Sequence, residues 1–246
     1  MANGMNILTS ALAATGVAGL AVGGFAYAAL WPGSQIFGST IRGGSDPSEI
    51  ALTFDDGPND ACTGALLEVL AKHDVRATFF MVGQYARQSP ALARRVHEAG
   101  HLVGNHTVTH PLLARASPRR VREELAGCNA ILEDTLGEPV RYFRPPFGGR
   151  RPDVLRTARQ LGLVPVTWNV TGHDWAQKSA EEVYGIVKAG IARNRRRGRG
   201  SNVLLHDGGH LTMGADRSRT LRAVEMLLAQ DAAGRRFVTV DRWDSV

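Results

Sequence analysis

The sequence predicts an α/β fold built on parallel strands, and three observations point there. Candidate strands alternate with candidate helices along most of the chain. Titratable side chains stand where apolar stretches stop, at the strand carboxyl ends where parallel α/β folds keep their sites. About 195 residues follow the first fifty, enough for one sizeable core. No internal repeat or second domain is visible. Periodicity alone leaves an open sheet and a closed barrel both standing.

From Met1 to Ile41 there is no charged side chain, and residues 7–31 are rich in Ala, Gly, Leu and Val. That length crosses a hydrocarbon core of roughly 30 Å, so an N-terminal hydrophobic helix acting as a membrane anchor is expected over 1–31. A cleaved secretory signal competes, because Ala26, Tyr27, Ala28 has the small residues of a processing site, although the basic amino-terminal region of such signals is missing. A buried arm is a third reading, since Thr9, Ser10, Thr15 and many Gly residues keep the hydropathy modest. Either membrane reading puts the rest of the chain outside the cytoplasm, anchored or secreted. No Lys or Arg flanks the amino side, so charge does not set the topology. Residues 32–48 hold Pro32, Gly33, Gly38, Gly43, Gly44 and Pro47 and read as a flexible linker, which leaves 49–246 as the main folded domain.

Within that domain, the apolar residues 49–54 read as a strand running into an Asp-Asp-Gly-Pro turn. Further strands are expected over 77–82, 163–168, 202–205 and 237–240. Helices are expected over 62–72, 90–99, 118–136, 152–161, 180–192 and 218–229. Cys62 and Cys128 fall in two of these helices, far apart in sequence. They make no disulfide framework, and two packed thiols are the simpler reading beside a single bridge.

Two motifs carry the chemistry. Thr53, Phe54, Asp55, Asp56, Gly57, Pro58 ends the first strand, and His106, Thr107, Val108, Thr109, His110 follows an apolar, charge-poor segment. Taken singly, the first is a turn and the second an exposed helix face. Together they offer one carboxylate and two imidazoles to a divalent metal, which in catalytic sites takes about three protein ligands and keeps a position for water. The adjacent carboxylate is then free to accept a proton. A further titratable group, His206, closes the apolar run Val203, Leu204, Leu205 ahead of a turn at Asp207, Gly208, Gly209.

On these motifs, together with Arg144, Pro145, Pro146, Phe147, Gly148 and with Asp174, Trp175, residues 50–240 resemble the polysaccharide deacetylases of carbohydrate esterase family four, the NodB homology domain. All five motifs occur in the family's order. The resemblance implies an irregular, incomplete (β/α) barrel with its site in a surface groove. It implies a metal-dependent hydrolase that removes N-acetyl groups from an N-acetylglucosamine polymer, with peptidoglycan or a related surface glycan as the best match. Asp56, His106 and His110 would hold the metal, zinc first and cobalt or nickel as options. Asp55 would be general base, oriented by Arg144, and His206 general acid, held charged by Asp174. Pro146, Phe147, Trp175 and Leu204 would meet substrate. The departure is Thr171, which stands where the family often has a second acid three residues before Asp174. The alternatives are an O-acetyl esterase or small-amide hydrolase on the same scaffold, or a catalytically silent glycan-binding homologue.

The remaining histidines, His73, His97, His101, His173 and His210, read as surface or structural, with His210 near enough to His206 in sequence to line a cleft. Tyr142, Phe147, Trp168 and Trp175 offer aromatic walls for sugar rings, with core packing the simpler role for most. The net charge of +6 owes much to Arg193, Arg195, Arg196, Arg197 and Arg199, a cluster that complements a helix carboxyl end or contacts anionic lipid or wall polymers. No recognition motif supports nucleic acid as a partner. The sequence leaves the oligomeric state open.

Overall fold

The computed structural model describes residues 23–177 and 179–244. Nine consecutive residues, Glu49–Gly57, form the central strand β1, and all nine are buried. A strand covered on both faces needs apolar side chains at successive positions rather than alternate ones, which Ile50, Ala51, Leu52 and Phe54 supply. Around it run β2 (Thr78–Met81), β3 (Leu102–Asn105), β4 (Tyr142–Phe143), β5 (Val164–Pro165), β6 (Val170–Thr171), β7 (Ser201–His206) and β8 (Arg236–Phe237). All are parallel, in the order β5-β4-β3-β2-β1-β7-β6, with β8 beside β1.

The connections are helical: α2 (Thr63–Lys72), α3 (Gly83–Gln88), α4 (Pro90–Glu98), α5 (Pro118–Leu136), α6 (Pro152–Gln160), α7 (Ala180–Arg196) and α8 (Ser218–Asp231), after an N-terminal helix α1 described over 23–30. The limits of α5 follow from its sequence. Ser117 caps it by accepting from the Arg120 amide, Pro118 fits the first turn, and Gly137 at φ 74° ends it in the left-handed conformation. Leu66, Leu70, Val96, Val183, Val187 and Leu227 seal the sheet against the helices. Cys62 and Cys128 are free thiols within this packing, and burial pushes both up to about 12, so neither is a thiolate near neutral pH.

No hydrogen bonds join β5 to β6 among the described residues, so the barrel stays incomplete there. The segment 32–48, expected as a flexible linker, runs through that opening. Ile41 pairs with Val166, and its amide and carbonyl bond Pro165 O at 2.9 Å and the Thr167 amide at 2.8 Å. Thr40 Oγ1 lies 2.9 Å from Thr167 Oγ1. The buried Arg150 guanidinium donates to the carbonyls of Gly148, Trp31 and Ser34 at 2.9, 2.7 and 2.6 Å, which ties the end of α1 to the domain. Most of the stretch expected to anchor in a membrane, 1–22, lies outside the described residues, and among those described no helix is long and apolar enough to cross one.

Candidate active site

The site forms where β1, β3 and β7 end. Asp55 sits in register with His206 on the neighbouring strand β7 and with Phe80 on β2, so parallel pairing alone sets an aspartate beside a histidine at one end of the sheet. Asp56 follows at φ 72° in a register shift, which turns its carboxylate out of the strand's alternation. His106 directly follows β3. The stretch to His110 is a loop rather than the helix face that spacing alone allows, with Thr107 at φ 68° and His110 at φ 59°.

Local hydrogen bonds hold that loop. Asn105 Oδ1 accepts from the Thr107 amide at 2.8 Å, Thr107 Oγ1 accepts from the His110 amide at 3.0 Å, and Glu124 accepts from the Thr109 amide and hydroxyl at 2.9 and 2.6 Å. Left-handed residues with a Cβ cost on the order of 1–3 kcal/mol each, so their surroundings must over-determine them. Here the strained residues Asp56 and His110 are two of the three that converge.

Those three are Asp56, His106 and His110, all buried, with one candidate ligand atom from each lying within 4.8 Å of the others. The Nε2 atoms of His106 and His110 stand 3.5 and 3.1 Å from Asp56 Oδ1. His106 Nδ1 lies 2.7 Å from the Arg144 carbonyl, which can only accept, so Nδ1 carries a proton and Nε2 is the atom turned to the cluster. Burial pushes the Asp56 carboxyl up, but the imidazoles of His106, His110 and His210 outweigh this and hold it well below the usual carboxylate range. Burial likewise lowers His110, only partly offset by Asp56, which favours the neutral, ligating imidazole. Asp56 Oδ1 has no hydrogen-bond partner although it is buried. An ionised carboxylate oxygen with two imidazole nitrogens aimed at it lacks a positive centre, and a divalent cation fits that deficit.

Two titratable groups, Asp55 and His206, flank the cluster. Asp55 Oδ1 accepts from Arg144 Nη1 at 2.9 Å, and its Oδ2 lies 3.6 Å from His106 Nε2. Arg144 is fully buried beneath it and is fixed by Thr53 Oγ1, Asn202 Oδ1 and the Thr167 carbonyl, with its guanidinium 4.2 Å from the Phe80 ring centre. On the other side, His206 Nδ1 donates to Asp174 Oδ1 at 2.8 Å, while Asp174 Oδ2 accepts from the His206 amide and from Thr220 Oγ1. Burial works against an imidazolium at His206, yet Asp174, with Asp56 and Asp55 adding to it, raises the group to about 9. His206 is therefore charged near neutral pH, with Nε2 as the position free to give up a proton.

A cavity of about 380 Å³ joins these groups, its walls formed by Phe147, Trp168, Trp175, Leu204, His210 and Arg217. Phe147 and Trp175 are 51% and 53% exposed, which leaves aromatic faces open to a ligand. Leu204 lines the wall, whereas Pro146, expected to meet substrate, is buried in the turn that presents Phe147 and does not line the cavity. His210, read from sequence as surface or structural, stacks on His110 with centres 4.7 Å apart and approaches Asp56 Oδ2 at 3.8 Å. Asp207, which the sequence marked only as part of a turn, is fully buried and accepts from Thr63 Oγ1. Burial, reinforced by Asp56 and Asp55, raises it to about 7.

A cation-ready cluster between the Asp55 carboxyl and a charged His206, at the carboxyl ends of parallel strands, is the arrangement of a hydrolase on an α/β scaffold. The sequence profile of polysaccharide deacetylases matches residues 42–166. A chitooligosaccharide deacetylase from a Bradyrhizobium strain is 38% identical over 191 residues, 75% of this chain and 84% of its own length. The chain belongs to the polysaccharide deacetylase family. Among solved structures, a peptidoglycan N-acetylglucosamine deacetylase bound to a naphthyl N-oxidanyl-benzamide aligns at TM-score 0.73 and 31% identity, covering 83% of this chain and 91% of its own. A family 4 acetyl xylan esterase from Clostridium thermocellum, bound to a cobalt ion, aligns at TM-score 0.68 and 31% identity, covering 79% of this chain and 89% of its own.

Proposed function

We propose that this chain hydrolyses N-acetyl groups of N-acetylglucosamine units in a polysaccharide, peptidoglycan or a related surface glycan, to give acetate and a free amine. The observation that carries this reading is the opening of the Asp56, His106, His110 cluster, the Asp55 carboxylate and the His206 imidazolium into one cavity. Asp56, His106 and His110 would hold a divalent cation, and their mixed nitrogen and oxygen donors suit zinc, with cobalt or nickel tolerated. When bound, such a cation acidifies a water and polarises an acyl oxygen.

Asp55 takes a proton from the water as it adds to the acetamide carbon. Arg144 Nη1 donates to Oδ1 of that carboxylate at 2.9 Å and holds it in place. His206 gives its Nε2 proton to the departing nitrogen, so the C–N bond breaks to an amine instead of an amide anion. Phe147, Trp175 and Leu204 hold the sugar ring. Residues 49–246 act as the catalytic unit. The uncharged stretch 1–31 serves as a membrane anchor or export signal, which would bring the catalytic unit to wall glycan outside the cytoplasm.

The test is purified protein assayed on peptidoglycan, chitin oligomers and acetylated xylan, with acetate and new amines counted separately. Equal yields of acetate and amine are expected, lost on chelation and restored by zinc or cobalt. The likeness to an acetyl xylan esterase supports a second reading, hydrolysis of O-acetyl esters, and acetate released without amine would establish it in place of the first. Glycan binding indifferent to chelation, without acetate release, would identify a silent homologue.

The charge on His206 makes a pH prediction. Its pKa is raised in the folded protein, so the acid form is present at low pH and lost as pH rises through the folded value of about 9. In Asp174→Asn the raising carboxylate is gone and the burial that lowers the pKa remains. The alkaline limb of the kcat profile is expected to move to lower pH by about one unit or more, within the range one neighbouring charge moves a pKa. A pH–rate profile checks it, and an unmoved limb would remove His206 as the acid.

A further inference from the structure

A larger cavity, about 850 Å³, lies outside the candidate active site and is lined by Arg42, Arg193, Arg197 and Arg199, with Trp31 at its edge. Asn169, which also lines it, immediately precedes β6, and Arg199 stands two residues before β7, so it opens at the amino ends of strands whose carboxyl ends carry the site. No carboxylate lines it, and none of the four guanidinium groups makes an ion pair among the described residues. Residues 1–22, 178 and 245–246 contain no Asp or Glu that could supply one. Arg42 Nε is buried with no hydrogen-bond partner. Four like charges around one concavity repel each other, and an external anion resolves the repulsion. Guanidinium forks match phosphate oxygens in charge and geometry.

The rim says which phosphate. Tyr27 and Trp31 are 53% and 58% exposed, stacked with ring centres 6.3 Å apart. Phe25 and Leu30 on the same short segment are also exposed. Amphipathic aromatic rings beside clustered arginines match the two layers of a membrane surface, the interface below the headgroups and the anionic phosphates above it. The uncharged residues 1–22 lead directly into this face at residue 23. Strand β7 runs from Ser201 beside the cavity to His206 in the site, a span of about 17 Å at 3.3 Å per residue. A protein resting on the arginine face therefore turns the candidate active site away from lipid.

We propose that this face docks on anionic phospholipid, with lipid phosphates entering the arginine cavity and Tyr27 and Trp31 lying in the interfacial layer. The docking is independent of the deacetylation reading, since none of its residues belongs to the reacting centre. The test is flotation of the full-length chain with vesicles of phosphatidylglycerol and phosphatidylcholine, against vesicles of phosphatidylcholine alone. Wild type binds the anionic vesicles more tightly, and added salt weakens that preference. The combined variant Arg42→Gln, Arg197→Gln, Arg199→Gln loses about fivefold per arginine, on the order of 100-fold altogether, on anionic vesicles and little on neutral ones. Its thermal melting and its hydrolysis of soluble chitin oligomers stay as in wild type, which separates lost docking from lost folding. Equal wild-type binding to both vesicle types, or a variant that floats as wild type does, would overturn the proposal. Tighter, arginine-dependent binding of soluble poly(glycerol phosphate) than of vesicles would overturn the lipid assignment.

Discussion

Asp55→Ala is expected to lower turnover by about 10²–10⁴-fold, the range for loss of a general base, while the protein still binds its divalent cation. The separation follows from the geometry. The cluster that converges within 4.8 Å uses Asp56, His106 and His110, and Asp55 stands outside it, turning Oδ1 to Arg144. Removing Asp55 leaves three cation donors in place and takes away the proton acceptor beside them. It also leaves the buried Arg144 guanidinium without its counter-charge, which for a buried pair costs roughly 3–5 kcal/mol. Asp55→Asn is therefore the companion variant, because the amide oxygen still accepts from Arg144 but is too weak a base to take a proton. Metal content and deacetylation measured on both variants test the assignment. Near-normal turnover in Asp55→Asn would remove Asp55 as the base, whereas bound metal with turnover lost in both would support it.

The sequence made this prediction possible because its catalytic candidates are local. Asp55 and Asp56 sit on one strand end, and His106 and His110 in one short loop, so the chain itself brings each pair close. Helix α5 was equally legible, since Ser117, Pro118 and Gly137 mark both of its ends in sequence. Strands β4 and β6 were not, because Tyr142–Phe143 and Val170–Thr171 are two residues each and too short to carry a period. The expected strand over 163–168 shrinks to Val164–Pro165, although Val166 still donates to the Phe143 carbonyl and bridges Ile41.

The glycines and prolines of 32–48 signalled a flexible linker because composition does not report contact. Gly44, for example, leaves room for the Trp243 indole, where a Cβ would collide with the ring. Sequence marked His210 only as near enough to His206 to line a cleft and Asp207 only as part of a turn, for their contacts with His110 and Thr63 form only when the loop after β7 folds back on β1. Pro146 was legible as part of a motif, but only tertiary structure separates the turn-forming proline from the presented Phe147.

His106→Ala should have the larger effect and a different signature. The ring supplies one of three donors, and its Nδ1 bond to the Arg144 carbonyl orients it, so alanine removes a donor that the neighbouring side chains cannot replace. Affinity for the cation is expected to fall by more than about 100-fold, beyond what loss of an outer partner of a ligand costs. Turnover should fall to background at the metal concentration that saturates wild type, because the protein then loses both water activation and acyl polarisation together. Raising the metal concentration distinguishes the two variants. Excess zinc or cobalt should restore part of the activity of His106→Ala by mass action and none of that of Asp55→Ala. A His106→Ala protein that keeps stoichiometric metal at low concentration would show that the cation is held elsewhere, and Asp56 and His110 would then lose their assignment with it.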